Sequence, residues 1–257
     1  MSYIDAHLHL ADPVYAGSAM SIIDDATRAN VTRLLSSAVD YNTSVQTISL
    51  AKQYDGRVLA AVGIHPSTVV YETDYALALF ERLIDENKEY VKAIGEIGLD
   101  GKYTQDQEKT RQQREVFSFF LSIAEKRQLP VVVHSRLAVV QVLDELSRFD
   151  LRGVLMHWYE GPLEKLELIR QQGYMISIGP TLLYSKRIAE VARNADLSTI
   201  LTETDGPVPY HGPYEGKVTR PSFVIDIVHK LAEIKIKRYQ EVREAVWNNF
   251  QNLIQPR

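Results

Sequence analysis

Short apolar runs alternating with amphipathic segments predict an α/β chain of the (β/α)8 class, a TIM barrel. Eight such runs alternate with segments of helical period along 257 residues, a length that suits one large domain, 1–257, better than two small ones. The first strand-to-helix connections lack the Gly-rich dinucleotide fingerprint, which disfavours the alternative of an open doubly wound sheet. The histidines and carboxylates able to bind a metal fall at or near the carboxyl ends of the runs, where barrel enzymes do their chemistry.

Taken in order, Tyr3-Ile4-Asp5-Ala6-His7-Leu8-His9 opens the chain as a strand. A short helix over 21–30 leads to a strand over 33–39. Asn42 is placed to cap a helix reaching about Tyr54, and Asp55-Gly56 ends it before a strand over 58–63. Thr73 or Asp74 begins a helix running to Glu89, ahead of a fourth strand over 91–97. The longest helix, 105–127, stops before Pro130, and strands over 130–134 and 154–157 flank a helix over 138–149. Pro162 opens a helix that Gly173 closes. A strand over 174–178, a helix over 185–194 and the eighth strand over 199–204 follow, with closing helices over 222–233 and 239–253.

Composition narrows the function classes. With 29 basic and 33 acidic residues the net charge is -4, so no broad positive field attracts nucleic acid and any polyanion must be held locally. There are no cysteines, which excludes disulfides and thiolate metal sites. No stretch approaches the roughly 20 apolar residues of a membrane span, so the expectation is a cytoplasmic protein without a membrane partner.

His7 and His9 are spaced so that a strand turns both imidazoles to one face. Glu96, His134, His157 and Asp205 end later strands, and together the six could hold two divalent ions. His7, His9 and Asp205 form a first site across the seam between the first and last strands. His134 and His157 form a second, and Glu96 reaches both; a shared carboxylate holds two cations about 3.5–4 Å apart. Four histidines favour zinc, manganese or cobalt, while magnesium would be held more weakly. The alternative is a set of mouth residues linked only by hydrogen bonds.

These motifs resemble the TatD family of metal-dependent deoxyribonucleases, within the amidohydrolase superfamily, over nearly the whole chain. DAHLHL resembles the opening Asp-x-His-x-His, GIHP at 63–66 and GEIGLD at 95–100 the third- and fourth-strand motifs, and PVVVHSR, VLMHW and LTETDGP the later ones. Val246 to Phe250 loosely resembles a C-terminal Asn-x-x-x-Leu-Phe signature. The resemblance implies a two-metal phosphodiesterase whose members act as magnesium-dependent 3'-to-5' exonucleases on DNA. It assigns His7, His9, Glu96 and Asp205 to one ion and Glu96, His134 and His157 to the other. Trp158-Tyr159-Glu160-Gly161 and Thr219-Arg220-Pro221 depart from the usual Cys-Phe and Asn-Glu-Pro, both where substrate would sit.

The mechanism expected is attack by metal-activated water, with two ions of magnesium, manganese or zinc as cofactors. Asp205 accepts or steers the nucleophile's proton, and Glu203, two residues earlier on the same strand face, is a further base or an interior ion-pair partner. Asp5 orients ligands. On the rim, His65 and Arg136 suit phosphate, against a packed loop histidine and a surface ion pair. The Pro/Gly-punctuated stretch 207–221, with Tyr210, His211, Tyr214, Lys217 and Arg220, reads as a lid able to stack a base and meet phosphates, with an ordinary barrel-wall insertion as the alternative. Phe117, Phe119 and Phe120 read as helix-face packing, Lys235 to Arg238 as a solvated turn and His229 as a packed side chain. The expected partner is DNA, single-stranded or at frayed ends, and the expected form is a monomer, with weak self-association as the alternative. Hydrolysis of a small phosphoester, cyclic amide or lactone is the alternative activity, and a non-catalytic barrel the third reading.

Overall fold

Val, Ile, Leu and Ala fill the strands almost without polar interruption, as parallel strands covered on both faces require: Val58–Val62, VLAAV, is buried at every position. The computed structural model describes residues 1–71, 77–103 and 106–255. Its strands are β1 Tyr3–Leu8, β2 Val31–Ser37, β3 Val58–Val62, β4 Val91–Gly98, β5 Val131–His134, β6 Val154–Met156, β7 Met175–Ile178 and β8 Ile200–Thr202. The helices are α1 Ala19–Arg28, α2 Tyr41–Gln53, α3 Pro66–Tyr71, α4 Leu77–Glu86, α5 Gln107–Arg127, α6 Val139–Leu146, α7 Leu166–Gln171, α8 Lys186–Asn194, α9 Val224–Lys235 and α10 Tyr239–Ile254. Strand order follows chain order from β1 to β8, the (β/α)8 plan read from the sequence. Among the described residues no helix is long and apolar enough to cross a membrane.

The chain forms two compact units, Met1–Ser36 with His157–Arg257, and Ser37–Met156. In the first, β1 pairs with β2 and β7 with β8, all parallel. The first strand is joined to the end of the last: Thr202 Oγ1 donates to the Ile4 carbonyl at 3.1 Å, and the Asp205 amide to the His7 carbonyl at 2.9 Å. Val242, Val246, Phe250 and Leu253 form the buried stripe of α10. In the second unit, β3 to β6 form a continuous parallel ladder. Gly98, at φ +143°, lies so close to β5 that a Cβ would run into the His134 carbonyl oxygen. The α5 helix buries Val116, Phe117, Phe120 and Leu121, with Phe119 only half-buried.

Several boundaries differ from the sequence reading, each for a local reason. Asp40, not Asn42, caps α2: its carboxylate accepts the Thr43 amide at 2.7 Å while Thr43 Oγ1 accepts the Asp40 amide, a capping box. Asn42 lies inside the first turn. Pro162 is extended, and a 3-10 turn over Leu163–Lys165 precedes α7. The short α3 was not foreseen, because six residues are too few to show a helical period. The eighth strand ends at Thr202, so Glu203 and Asp205 follow the strand rather than alternating along it, and Asp205 is left-handed at φ +46°. The expected starts at Thr73, Asp74 and Gln105 lie outside the described residues.

Asn249 links α10 to the approach of β8, donating through Nδ2 to the Leu197 and Ile200 carbonyls, both at 2.9 Å. Removing the amide leaves buried acceptors unmet, so Asn249→Ala should lose roughly 1–3 kcal/mol of unfolding free energy. Urea denaturation reads this directly, and an unchanged midpoint would show that the link is dispensable.

Candidate metal centre

In the first unit, His7 comes from β1, His9 from the residue just beyond it, His157 from the residue after β6, and Asp205 from the turn after β8. His7 is wholly buried, and its Nε2 lies 3.2 Å from His9 Nε2. Asp205 Oδ1 is 3.3 Å from the first of these nitrogens and 3.2 Å from the second. The His157 ring stacks on that of His7 at 4.0 Å, and His7, His157 and Asp205 each offer a ligand atom within 4.8 Å of the others. Three atoms with acceptor lone pairs thus converge at hydrogen-bond distance. Such a set needs ring protons or a cation between its members, and its nitrogen-rich donors fit a divalent transition ion.

The backbone that presents these groups is held by a carboxylate. Asp5, fully buried, accepts from the Thr204 amide at 2.9 Å, from the Thr204 hydroxyl and from the His7 amide at 3.3 Å. Its role is therefore to fix the chain around His7 and Asp205, as expected of an orienting group. Burial pushes the Asp5 carboxyl well above its ordinary range, against the pull of those hydrogen bonds. Burial acts in the same direction on Asp205, but contacts to His7 and His9 outweigh it and hold that carboxyl well below the usual range. Glu203, also fully buried, accepts from Ser177 Oγ at 2.5 Å through Oε2, which stands 3.8 Å from His157 Nδ1. Glu203 Oε1 is buried with no hydrogen-bond partner among the described residues.

In the second unit, His65, Glu96 and His134 form another group able to hold an ion. Their protons can be assigned by their partners. The Ser67 amide donates to His65 Nδ1 at 3.0 Å, so a neutral His65 ring carries its proton on Nε2, 3.2 Å from His134 Nδ1 and 3.4 Å from Glu96 Oε1. His65 is thus set as a donor, although it stands among the candidate ligands. His134 Nε2 donates to Asp100 Oδ2 at 3.2 Å, which leaves Nδ1 with a lone pair facing Glu96 Oε1 at 2.9 Å. His65 Nε2–H is the donor that faces these two acceptors, and a cation could meet the same pair.

Asp100 has no assigned role in the sequence reading, although it closes the GEIGLD run that supplies Glu96. It is fully buried and holds both His134 and Arg136, whose Nε and Nη2 donate to its two oxygens at 3.2 and 2.6 Å. Only its position four residues after Glu96 in one motif could have marked it. Arg136 remains exposed but is engaged by this fork. Of the 207–221 stretch, Tyr210 is buried with its hydroxyl on the Thr204 carbonyl at 2.7 Å, and Tyr214 stacks on Phe223 at 3.8 Å and donates to Asp226. Tyr15 donates to the Thr219 carbonyl at 2.7 Å, and Arg220 pairs with Asp25. His211 is exposed beside Tyr184. The stretch is pinned at Tyr210, Tyr214, Thr219 and Arg220 while most of its other residues are exposed, and His229, stacked on Tyr239 at 4.2 Å, is a packed side chain.

Comparison with known proteins agrees over the full length. The family profile described as TatD related DNase matches residues 4–255. An uncharacterized metal-dependent hydrolase of Methanocaldococcus jannaschii is 30% identical over 97% of this chain and 95% of its own. Deoxyribonuclease TATDN3 of Homo sapiens is 29% identical over 96% of this chain and 92% of its own. The crystal structure of the TatD homologue YjjV from Escherichia coli K12 superposes with a TM-score of 0.90 at 28% identity, covering 99% of this chain and 98% of that one.

Asp100 also yields a pH prediction. Burial raises its carboxyl, but hydrogen bonds from His134, Arg136 and the Lys102 amide prevail and hold it below its ordinary 3.8. A depressed carboxyl contributes stability that is fully present above its unfolded value and is lost as pH falls through the folded one. Metal-free Asp100→Asn should therefore be less stable than wild type at neutral pH, with the gap closing below about pH 4. Equal gaps at neutral pH and in acid, measured by chemical denaturation, would show that the charge of Asp100 contributes nothing.

Proposed function

The chain belongs to the TatD related DNase family and is a metal-dependent hydrolase of that kind, and on this premise we propose that it is a 3'-to-5' deoxyribonuclease acting on single-stranded or frayed DNA ends. The observation that carries the reading is the convergence of His7, His9 and Asp205 at 3.2–3.3 Å, an acceptor cluster suited to a cation that would hold a phosphodiester. The name of the human relative supports DNA as the substrate. We assign two divalent ions per chain, magnesium, manganese or zinc, to the ligands His7, His9, Glu96, His134, His157 and Asp205. Bound there, such ions supply Lewis acidity that acidifies water and offsets charge on phosphoryl oxygens.

The chain's own groups handle the rest. Asp205, held ionised by the histidines beside it, steers the attacking water, and Glu203 Oε1, with its lone pairs unspent, receives the proton. His65 Nε2–H donates to a phosphoryl oxygen, its tautomer set by the Ser67 amide. Arg136 and Arg220 are ion-paired to Asp100 and Asp25, so each meets phosphate by turning from, or sharing, that carboxylate. His211 offers an exposed ring beside Tyr184, whereas Tyr210 is buried and can only back the rim. A net charge of -4 gives duplex DNA little long-range attraction, so capture of a chain end fits better than tracking along a groove. Unpairing a duplex costs free energy, which favours a terminus already single-stranded.

Manganese-saturated protein should carry two ions per chain by elemental analysis, and a single ion at saturation would refute the two-metal assignment. With metal present, end-labelled single-stranded DNA should shorten from its 3' end while a covalently closed circle of the same sequence survives, and chelator should abolish the reaction. Asp205→Asn and Glu203→Gln should each slow it by roughly 100-fold or more. Equal cleavage of the circle would rule out end recognition. Turnover of a small phosphoester or cyclic amide with no cleavage of DNA would move the activity to that class.

A further inference from the structure

Trp158 follows His157 directly, and its backbone is left-handed at φ +42°, a conformation costly for a bulky side chain. The Ser177 hydroxyl, which also holds Glu203, accepts the Trp158 amide at 3.1 Å. The indole packs over Tyr210, with ring centroids 5.7 Å apart and planes inclined by 30°. Its Nε1 donates to Glu160 Oε1 at 3.1 Å. Tyr210 is 4% exposed, and its hydroxyl is fixed to the carbonyl of Thr204, the residue before Asp205. Trp158 itself is only half-buried, so burial does not repay the backbone cost as it would for a core residue. Trp158 thus keeps part of its surface accessible while resting against Tyr210. The result is a rigid aromatic plate tied at one end to His157 and at the other to the Asp205 turn.

We infer that Trp158, backed by Tyr210, is a specificity-determining residue that stacks on the base of the terminal nucleotide whose phosphate the metal ligands hold. The inference rests on the phosphodiester reading above. Stacking accepts any base, because every base presents a π-face, and it adds affinity without sequence preference. It makes an abasic end a poor substrate even when its phosphate and sugar are intact. Glu160, on the indole Nε1, fixes the plane of the plate.

The sequence contains two tryptophans, so Trp247→Phe leaves Trp158 as the sole indole reporter in otherwise intact, metal-loaded protein. Deoxyadenosine 5'-phosphate should quench this fluorescence and bind roughly tenfold or more tightly than deoxyribose 5-phosphate, which lacks the base. Trp158→Ala should bring the two affinities together and raise KM for single-stranded DNA with little change in kcat. Trp158→Phe should restore most of the preference, which separates stacking from a general loss of fold. Equal affinities for the two phosphates in wild type would overturn the stacking role while leaving the phosphodiester reading intact. Quenching by deoxyadenosine at the same concentration as by its phosphate would keep the plate and remove the phosphate reading. No quenching by either would overturn the inference.

Discussion

The buried Asp5 carboxylate, tying the first strand to the turn after the last, is the contact on which the arrangement of the first unit depends. It accepts from the His7 amide and from both the amide and the hydroxyl of Thr204, so the backbone on either side of the His7–Asp205 pair cannot shift independently. A carboxyl so deeply buried is tolerated because three donors, the His7 amide and the Thr204 amide and hydroxyl, meet its oxygens. The exchange between the His7 carbonyl and the Asp205 amide, and between the His9 amide and the Gly206 carbonyl, continues the same clasp along the chain.

Around that clasp the protein gathers groups rich in lone pairs. His7, His9 and Asp205 converge in one unit, and His134 and Glu96 in the other, at 2.9–3.3 Å. A fold selected for stability alone would replace such groups by apolar side chains, since buried charge without full pairing is unfavourable. Positive charge placed among the acceptors, as ring protons or as a divalent ion, makes the arrangement favourable. The surrounding groups then set which nitrogen is offered: Asp100 takes the proton of His134 Nε2, and the Ser67 amide turns His65 into a donor.

The rim follows a different logic. Tyr15, Tyr210 and Tyr214 anchor the residues after Asp205 through hydroxyls fixed to Thr219, Thr204 and Asp226. A rim pinned in this way holds its residues in fixed positions beside Asp205, and orientation of that kind contributes to rate without new chemistry. The -4 charge means that affinity has to come from such local contacts rather than from a long-range field.

The sequence by itself determined the eight-strand alternation, the helices with long apolar stripes, and which histidines and carboxylates are candidates to hold a metal, because hydrophobic period and residue chemistry are local properties of the chain. The capping box at Asp40 is within its reach too, since Asp-x-x-Thr reads at the same range as Asn42. Tertiary structure alone decided that Glu203 and Asp205 leave the strand, that Ser67 sets the tautomer of His65, that Asp100 braces His134 and Arg136, and that Trp158 lies over Tyr210. Each of these depends on a hydrogen bond or ring contact whose geometry no local pattern encodes. Most join residues distant in the chain, and even the two-residue link from Ser67 to His65 acts through atoms that only the folded loop brings into line.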